Sequence, residues 1–458
     1  MNCKKTNSFN EAQQTAVIHK DGPMMVLAGP GSGKTFVLVE HISYLTKTYG
    51  IDPESLLVIT FTREAAKEMK ERAMKKGADT RITFGTFHSV FLSILKEYCG
   101  YKVSDIVERK FCIQLMRKIL NSGNYKGFEN ATSDMAEYVI NIIGRMKNGE
   151  DIFSIIENKA EAGTYICIYK KYESEMRKYN KIDYDDMLLL CRNLLVENKS
   201  ILAKLRNRYK YFLIDEFQDI NELQFEIIKL MSYPYNNLFI VGDDDQSIYG
   251  FRGSRPEIML NFESEYRDVQ KVVLNINYRS SQAIVDASLK LIENNEIRYK
   301  KLFKAAKKGG RAVRIEGFAD EREMLDTLCK ELILMHNGNI KYSDFAVLYR
   351  VNKNAVILTK YLNEYAIPFT QNEKNDENLA LMTFHASKGL EFNQVYIIFA
   401  TEGICPWKSS VSKAEISEER RMFYVAMTRA KAQLHIFYTK KLYNAKVKKS
   451  RFIDEILR

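Results

Sequence analysis

The sequence predicts an α/β protein built on parallel sheets, and three observations lead there. Short apolar runs rich in β-branched and aromatic residues alternate with segments of helical periodicity along most of the chain. One such run, Met24–Leu27, leads through Ala28-Gly29-Pro30-Gly31-Ser32-Gly33-Lys34-Thr35 into a helix-forming stretch, the strand–loop–helix order of a phosphate-binding loop. The 458 residues exceed one ordinary domain, and a hydrophobic content of 46% suffices for several cores.

Further strands are expected at Leu56–Thr60, Tyr211–Ile214 and Leu238–Val241, and a second set at Ala312–Phe318, Phe345–Leu348, Leu379–Thr383, Val395–Phe399 and Gln433–Tyr438. Between about Phe91 and Arg206 the strand signal fades into lysine- and tyrosine-rich helical sequence. The expected organisation is a discontinuous first α/β domain (1–90 and 207–270), a mainly helical insertion (91–206) and a second α/β domain (271–458). With 7 Pro and 22 Gly, long flexible linkers are not expected.

Composition excludes several classes. No apolar run approaches the ~18–20 residues that cross a bilayer, and the start Met1-Asn2-Cys3-Lys4-Lys5 leads into polar sequence, unlike a secretory signal. None of the seven cysteines (Cys3, Cys99, Cys112, Cys167, Cys191, Cys329 and Cys405) is spaced as CxxC, which argues against a zinc knuckle or an iron–sulfur cluster. Scattered single cysteines suit a reducing compartment, so a cytoplasmic location without a membrane partner is expected. The formal net charge of +11 favours a polyanionic partner, although a merely soluble basic protein would carry it equally well. The basic runs are Lys300, Lys301, Lys304, Lys307 and Lys308, and Lys440, Lys441, Lys446, Lys448, Lys449 and Arg451. Such runs are usually solvated faces.

The chemistry begins at the Gly-rich loop. Its glycines let backbone N–H groups curl around phosphate oxygens, and the helix that follows adds its dipole. Lys34 is expected to neutralise the β- and γ-phosphates, and the Thr35 hydroxyl to ligate Mg²⁺. The run Tyr211–Ile214 ends in Asp215-Glu216-Phe217-Gln218-Asp219. Asp215 is the natural Mg²⁺ partner, and Glu216 is placed to orient and deprotonate an attacking water. Acidic pairs at strand ends are often plain turns; the phosphate loop is what gives this one meaning. The run Leu238–Val241 ends in Gly242-Asp243-Asp244-Asp245-Gln246, followed closely by Tyr249, Phe251 and Arg252. Gln246 is an uncharged group able to sense a γ-phosphate, and aromatics beside a cation bind single strands by stacking, at about 1–3 kcal/mol per base.

In this order the motifs resemble the UvrD/Rep family of superfamily 1 helicases, over nearly the whole chain. Phe9-Asn10-Glu11-Ala12-Gln13-Gln14 is similar to the adenine-reading motif, with Gln13 at its glutamine. Thr60-Phe61-Thr62-Arg63 and Gly85-Thr86-Phe87-His88 resemble strand-contacting motifs, and Asp183-Tyr184-Asp185-Asp186-Met187 an acidic segment preceding the magnesium site. Asn277-Tyr278-Arg279-Ser280 resembles the motif whose Tyr stacks on adenine and whose Arg reaches the γ-phosphate. Thr383-Phe384-His385 through Lys388-Gly389-Leu390-Glu391 resembles one touching both strand and nucleotide, and Tyr424 to Ala430 the final motif, with Arg429 as a second arginine finger.

The resemblance implies two RecA-like P-loop domains with ATP and Mg²⁺ in the cleft between them. It also implies a strand gripped by Phe61, Thr62, Arg63, Thr86, His88, Tyr249, Phe251, Arg252, Thr383 and His385. The implied nucleotide set is Gln13, Ala28 to Thr35, Tyr278, Arg279, Glu391 and Arg429. The implied catalytic set is Lys34, Asp215, Glu216, Gln246, Arg279 and Arg429, with Thr35 and Asp215 on the metal. The implied activity is an ATP-dependent 3′-to-5′ DNA helicase on single-stranded and 3′-tailed duplex DNA, working with a repair, replication or nuclease partner. Two alternatives stay open: a single-strand translocase that does not unwind, and a non-catalytic nucleotide-gated scaffold.

The sequence departs from the family pattern in three places. Only a short polar link, Thr370 to Asn378, stands where relatives carry the large 2B insertion; Phe36 and Phe251 stand where relatives often have Arg and Trp.

Overall fold

The computed structural model describes residues 9–123, 125–156, 158–307, 309 and 313–458, apart from the Arg252 side chain. Cys3, Lys308 and the start of the strand expected at Ala312 lie outside those residues. The chain forms two compact units: Met1–Val26, Thr35–Gly242 and Tyr249–Val272 in the first, and Leu27–Lys34, Asp243–Ile248 and Val273–Arg458 in the second. No described helix is long and apolar enough to cross a membrane.

In chain order the strands are β1 (Met24–Ala28), β2 (Leu56–Thr60), β3 (Thr83–Thr86), β4 (Tyr211–Ile214), β5 (Leu238–Gly242), β6 (Gln270–Leu274), β7 (Ile276–Asn277), β8 (Lys304–Ala305), β9 (Arg314–Phe318), β10 (Phe345–Tyr349), β11 (Phe369–Gln371), β12 (Leu379–Thr383), β13 (Phe392–Ile397), β14 (Ala430–Thr439), β15 (Lys441–Leu442) and β16 (Ala445–Lys446). One six-stranded sheet has the order β3-β2-β4-β5-β1-β6, and another β11-β12-β10-β13-β14-β9. The pairs β2–β3, β2–β4 and β4–β5 are parallel, as is every pair of the second sheet. The central strands β1, β2, β4, β5 and β10 are buried at every position. This is why they read as unbroken apolar runs rather than alternating ones.

The differences from the expected strands are local. β13 begins at Phe392, earlier than Val395, because Phe392 N–H is drawn to Arg429 O. β3, β6 and β11 carry no long apolar run; they are edge or near-edge strands, where half-exposed positions erase the signal.

From Phe87 to Arg208 the first unit is helical, with a core of its own around Met116, Ala136, Val139, Ile168 and Tyr172. The Asp183–Met187 segment is the clasp of this region. The buried Lys147 ammonium lies 2.8 Å from Glu173, 2.8 Å from Asp183 and 2.6 Å from Asp186, and Tyr172 donates to Asp183 at 3.1 Å. Asn148 donates to Asp185 and accepts from Asn221, both at 2.7 Å. Asn221 caps the helix Glu222–Ser232, which packs beside the helix Tyr184–Glu197.

The second unit buries a core around Leu325, Leu328, Val347, Leu358 and Leu381. β11 and β12 are parallel neighbours joined only by residues 372–378. A parallel pair ordinarily needs a crossover of about a dozen residues. This short return works because β11 is only three residues long.

Candidate nucleotide and nucleic-acid sites

In the second unit the Gly-rich loop is pinned by the segment after β7. Gly31 and Gly33 have φ of 67° and 92°, a region that costs side-chain-bearing residues energy. A Cβ on Gly31 would collide with Arg279 Cβ, and one on Gly29 with the Phe303 ring. Asn277 donates its amide to Pro30 O at 2.8 Å, and Tyr278 N–H donates to Gly31 O at 2.8 Å. The Asn277 Oδ1 accepts from Arg279 N–H and Ser280 N–H, each at 2.8 Å. Ser32 donates to Gly29 O at 2.8 Å and closes the loop on itself. Tyr278, whose backbone is held to the loop, is 45% exposed.

The two arginines stand in this same unit. Arg279 donates to Glu391 at 2.7 Å and to Thr428 O at 3.3 Å. Burial works against charge on Glu391, but Lys431 and Arg279 outweigh it and hold the carboxyl below its usual range. Arg429, 2% exposed, donates to Val425 O, Leu390 O and the Gln246 side-chain oxygen, at 2.9, 3.2 and 3.2 Å. Gln246 in turn donates to Asp243 at 2.7 Å, and Lys388 donates to Gln246 O at 2.7 Å. Thr383 Oγ1 accepts from Ala386 N–H at 3.2 Å, fixing the turn that carries half-buried His385.

One basic run corrects the solvated-face reading. Lys301 is fully buried, in contact with Asp243, Asp244 and Asp245. Those three carboxylates lie within 4.8 Å of one another, close enough to hold a metal, but the Lys301 ammonium already bonds to all three. Most of the other run faces solvent: Lys440, Lys441, Lys446 and Lys448 are exposed, with no ion partner among the described residues, while half-buried Lys449 pairs with Asp454 and Arg451 with Glu402.

In the first unit, β4 delivers Asp215 and Glu216. Glu216 sits at φ 51°, in the left-handed region, and non-glycine residues held there cluster at functional sites. Its N–H donates to Asp215 at 3.0 Å, and its carboxylate accepts from Gln218 at 2.6 Å. Gln218 is fully buried. Thr35 opens the helix Lys34–Lys47 within its first turn. Its hydroxyl and the Asp215 carboxylate are hard oxygen donors of the kind Mg²⁺ takes. Gln13 completes a capping box with Asn10, its side chain accepting from Asn10 N–H at 3.3 Å.

The aromatic residues of the first unit form a platform. Phe61 and Tyr249 stack at 4.9 Å and 15°, and Phe251 lies 6.1 Å from Tyr249 with 52% of its surface exposed. Thr62 and Thr86 cap the helices Arg63–Lys75 and Phe87–Cys99, while Arg63 is exposed. His88 meets the edge of Tyr184 at 5.6 Å. Burial, and then the charge of Arg63, push its pKa down to about 4, so its ring is neutral at pH 7. Arg252 lies on the turn Gly250–Arg252, its side chain outside what is described.

The Gly-rich loop is thus clamped by an Asn-Tyr-Arg segment, with Arg279 held on Glu391 and Arg429 held on Gln246. The UvrD/REP helicase N-terminal domain model matches residues 9–267, and the UvrD-like helicase C-terminal domain model matches 272–376 and 369–441. The chain belongs to the UvrD/REP helicase family. Among similar curated proteins, the "Probable DNA helicase II homolog" of Mycoplasma capricolum is 36% identical over 79% of this chain and 51% of its own length. The ATP-dependent DNA helicase PcrA of Staphylococcus aureus is 32% identical over 80% of this chain and 50% of its own length. The chain thus spans about half the length of the curated relatives it matches. The two pieces of the C-terminal match adjoin at 369–376, around the β11–β12 return.

Lys301, Gln218 and Phe303 were not legible as site residues. Their partners lie far along the chain or, for Gln218, depend on the turn after β4. The only sequence signal was position: Gln218 stands two residues from Glu216, and Lys301 lies within a basic run.

Proposed function

We propose that this chain is an ATP-dependent DNA motor that moves 3′ to 5′ on single-stranded DNA and unwinds 3′-tailed duplex. The docking of Asn277, Tyr278 and Arg279 on the Gly-rich loop, with Glu391, Arg429 and Gln246 in the same unit, carries the reading. Domains 1–90 with 207–270, 91–206 and 271–458 are the proposed working parts.

Lys34 and the loop N–H groups bind the phosphates, and exposed Tyr278 takes the adenine ring. Thr35 and Asp215 would hold Mg²⁺, which would supply positive charge against the phosphates. Glu216, aimed by Gln218, takes the proton of the attacking water. Arg279 and Arg429 stabilise charge developing on the transferred phosphoryl group, a contribution of about 10³–10⁵ in rate for such fingers. Phe61, Tyr249 and Phe251 stack bases, with Thr62, Arg63, Thr86, His88, Arg252, Thr383 and His385 along the strand.

A second reading is a single-strand translocase without intrinsic unwinding, favoured by the short 372–378 return where relatives of the resembled family carry an insertion. Displacement of 3′-tailed, 5′-tailed and RNA-tailed duplexes, at limiting and excess protein, decides between the two. Displacement from the 3′ DNA tail alone supports the helicase. DNA-stimulated hydrolysis without displacement supports the translocase. Equal hydrolysis by wild type and Lys34→Ala overturns both in favour of a scaffold.

A further inference from the structure

We propose that Lys301 is a positioning residue for hydrolysis, setting the orientation of the Gln246 amide and, through it, the Arg429 guanidinium. The inference rests on the ATPase reading above.

The Lys301 side chain has no exposed surface. It bonds to Asp243 Oδ1 at 2.5 Å, to Asp244, and to Asp245 at 3.0 Å. Arg298 holds Asp245 from the other side at 2.8 and 2.6 Å, and Tyr299 N–H donates to Asp244 at 2.9 Å. Three carboxylates this close cannot all ionise in a buried site without a cation among them. Burial works against charge on Asp243, yet Lys301 and Lys34 hold its carboxyl below the usual range. Asp244, also buried, is pushed up to about 6.

The ionised Asp243 has a second oxygen, and this one accepts from the Gln246 amide NH₂ at 2.7 Å. With its NH₂ so directed, Gln246 can offer only its oxygen to Arg429, at 3.2 Å. Asp243 Oδ1 also accepts from Asp245 N–H at 3.3 Å, so a proton on Asp243 would sit on the oxygen facing Gln246, which would then donate instead of accepting. The Gln246 amide would then turn over and point its NH₂ at the guanidinium, donor against donor. The ammonium of Lys301 therefore selects which face of Gln246 the arginine meets. Arg298 donates both its hydrogen bonds in this cluster to Asp245 and serves as the structural control.

The test is steady-state DNA-stimulated ATPase of Lys301→Met, Arg298→Met, Gln246→Ala and the Lys301→Met/Gln246→Ala double variant, with fluorescent-nucleotide affinity and thermal unfolding read in parallel. Lys301→Met is expected to lower kcat at least about tenfold, the scale on which a misdirected active-site donor acts, with nucleotide affinity within about threefold. Arg298→Met is expected to lose stability but retain kcat. On the Gln246→Ala background, Lys301→Met should cost no further activity, since the two act in series. The kcat of Lys301→Met should also rise between pH 6 and 9 in a way that wild type does not. Wild-type kcat in Lys301→Met, or equal kcat losses in Lys301→Met and Arg298→Met, overturns the proposal while leaving the ATPase reading intact. An inactive wild-type protein overturns the ATPase reading itself. If Lys301→Met does not fold, Asp243→Asn tests the same link. Its amide donates toward Gln246, so kcat should fall about tenfold at unchanged nucleotide affinity, and a wild-type kcat there counts against the proposal.

Discussion

Glu216 combines two features that separate its chemistry from its folding role. Its backbone is held at φ 51° and its carboxylate is oriented by fully buried Gln218. Glu216→Gln keeps the shape and removes the proposed base, so hydrolysis should fall by about 10²–10⁴ with nucleotide affinity unchanged. A loss of affinity without loss of kcat would reassign the residue. Arg279 is the complementary case. Its guanidinium meets Glu391 at 2.7 Å while its Cβ abuts the Gly-rich loop. Arg279→Ala is expected to reduce kcat by about 10³ or more, as for an arginine finger, in single-turnover assays at saturating ATP.

At the scale of elements, two buried titratable groups set how the first unit responds to its surroundings. His41 is 1% exposed, stacks on Phe239 at 4.0 Å and donates to Val17 O at 3.0 Å. Burial pushes its pKa down to about 3, against an ordinary value of 6.5. Between those values the unfolded chain binds a proton that the folded chain refuses. Stability is therefore lost as pH falls from about 6.5 toward 3, by up to about 4–5 kcal/mol from this group. Denaturant titrations across that range should show a shallower loss in His41→Phe. Lys147 clasps the helical region through Glu173, Asp183 and Asp186. Lys147→Met strands carboxylates in a buried site and should cost about 3–5 kcal/mol, read by urea unfolding. An unchanged midpoint would show that water already screens the cluster.

For the whole molecule the prediction concerns charge. With a net charge of +11 and an exposed run of lysines at 440–448, binding to single-stranded DNA should release counterions. The logarithm of affinity should fall with the logarithm of salt at a slope of about −0.7 per phosphate neutralised. Affinity independent of salt would contradict backbone tracking. The β11–β12 return of residues 372–378 is one place where this chain departs from the pattern it resembles, and under the proposed function the displacement assay tests its bearing on unwinding.

How much was legible beforehand follows from how local each signal is. The buried parallel strands, the phosphate loop and the Asp215–Glu216 pair could be read because the relevant residues are neighbours in the chain. Edge strands β3, β6 and β11 could not, since half-exposed positions carry little apolar pattern. The second basic run was legible as solvated, but Lys301 of the first was not. Nothing in a string of lysines marks the one whose ammonium enters a pocket of carboxylates 58 positions away.

By itself, then, the amino-acid order determined the class of fold, the location of the phosphate loop and the family of motifs. These depend on periodicity and on spacings of a few residues. Only the tertiary structure decided that Asn277 and Tyr278 clamp the loop, that Gln218 aims Glu216, that Lys147 closes the helical region and that Lys301 lies among three carboxylates. Each of these depends on buried polar groups finding partners once water is excluded, and chain folding rather than local sequence determines which partner is within reach.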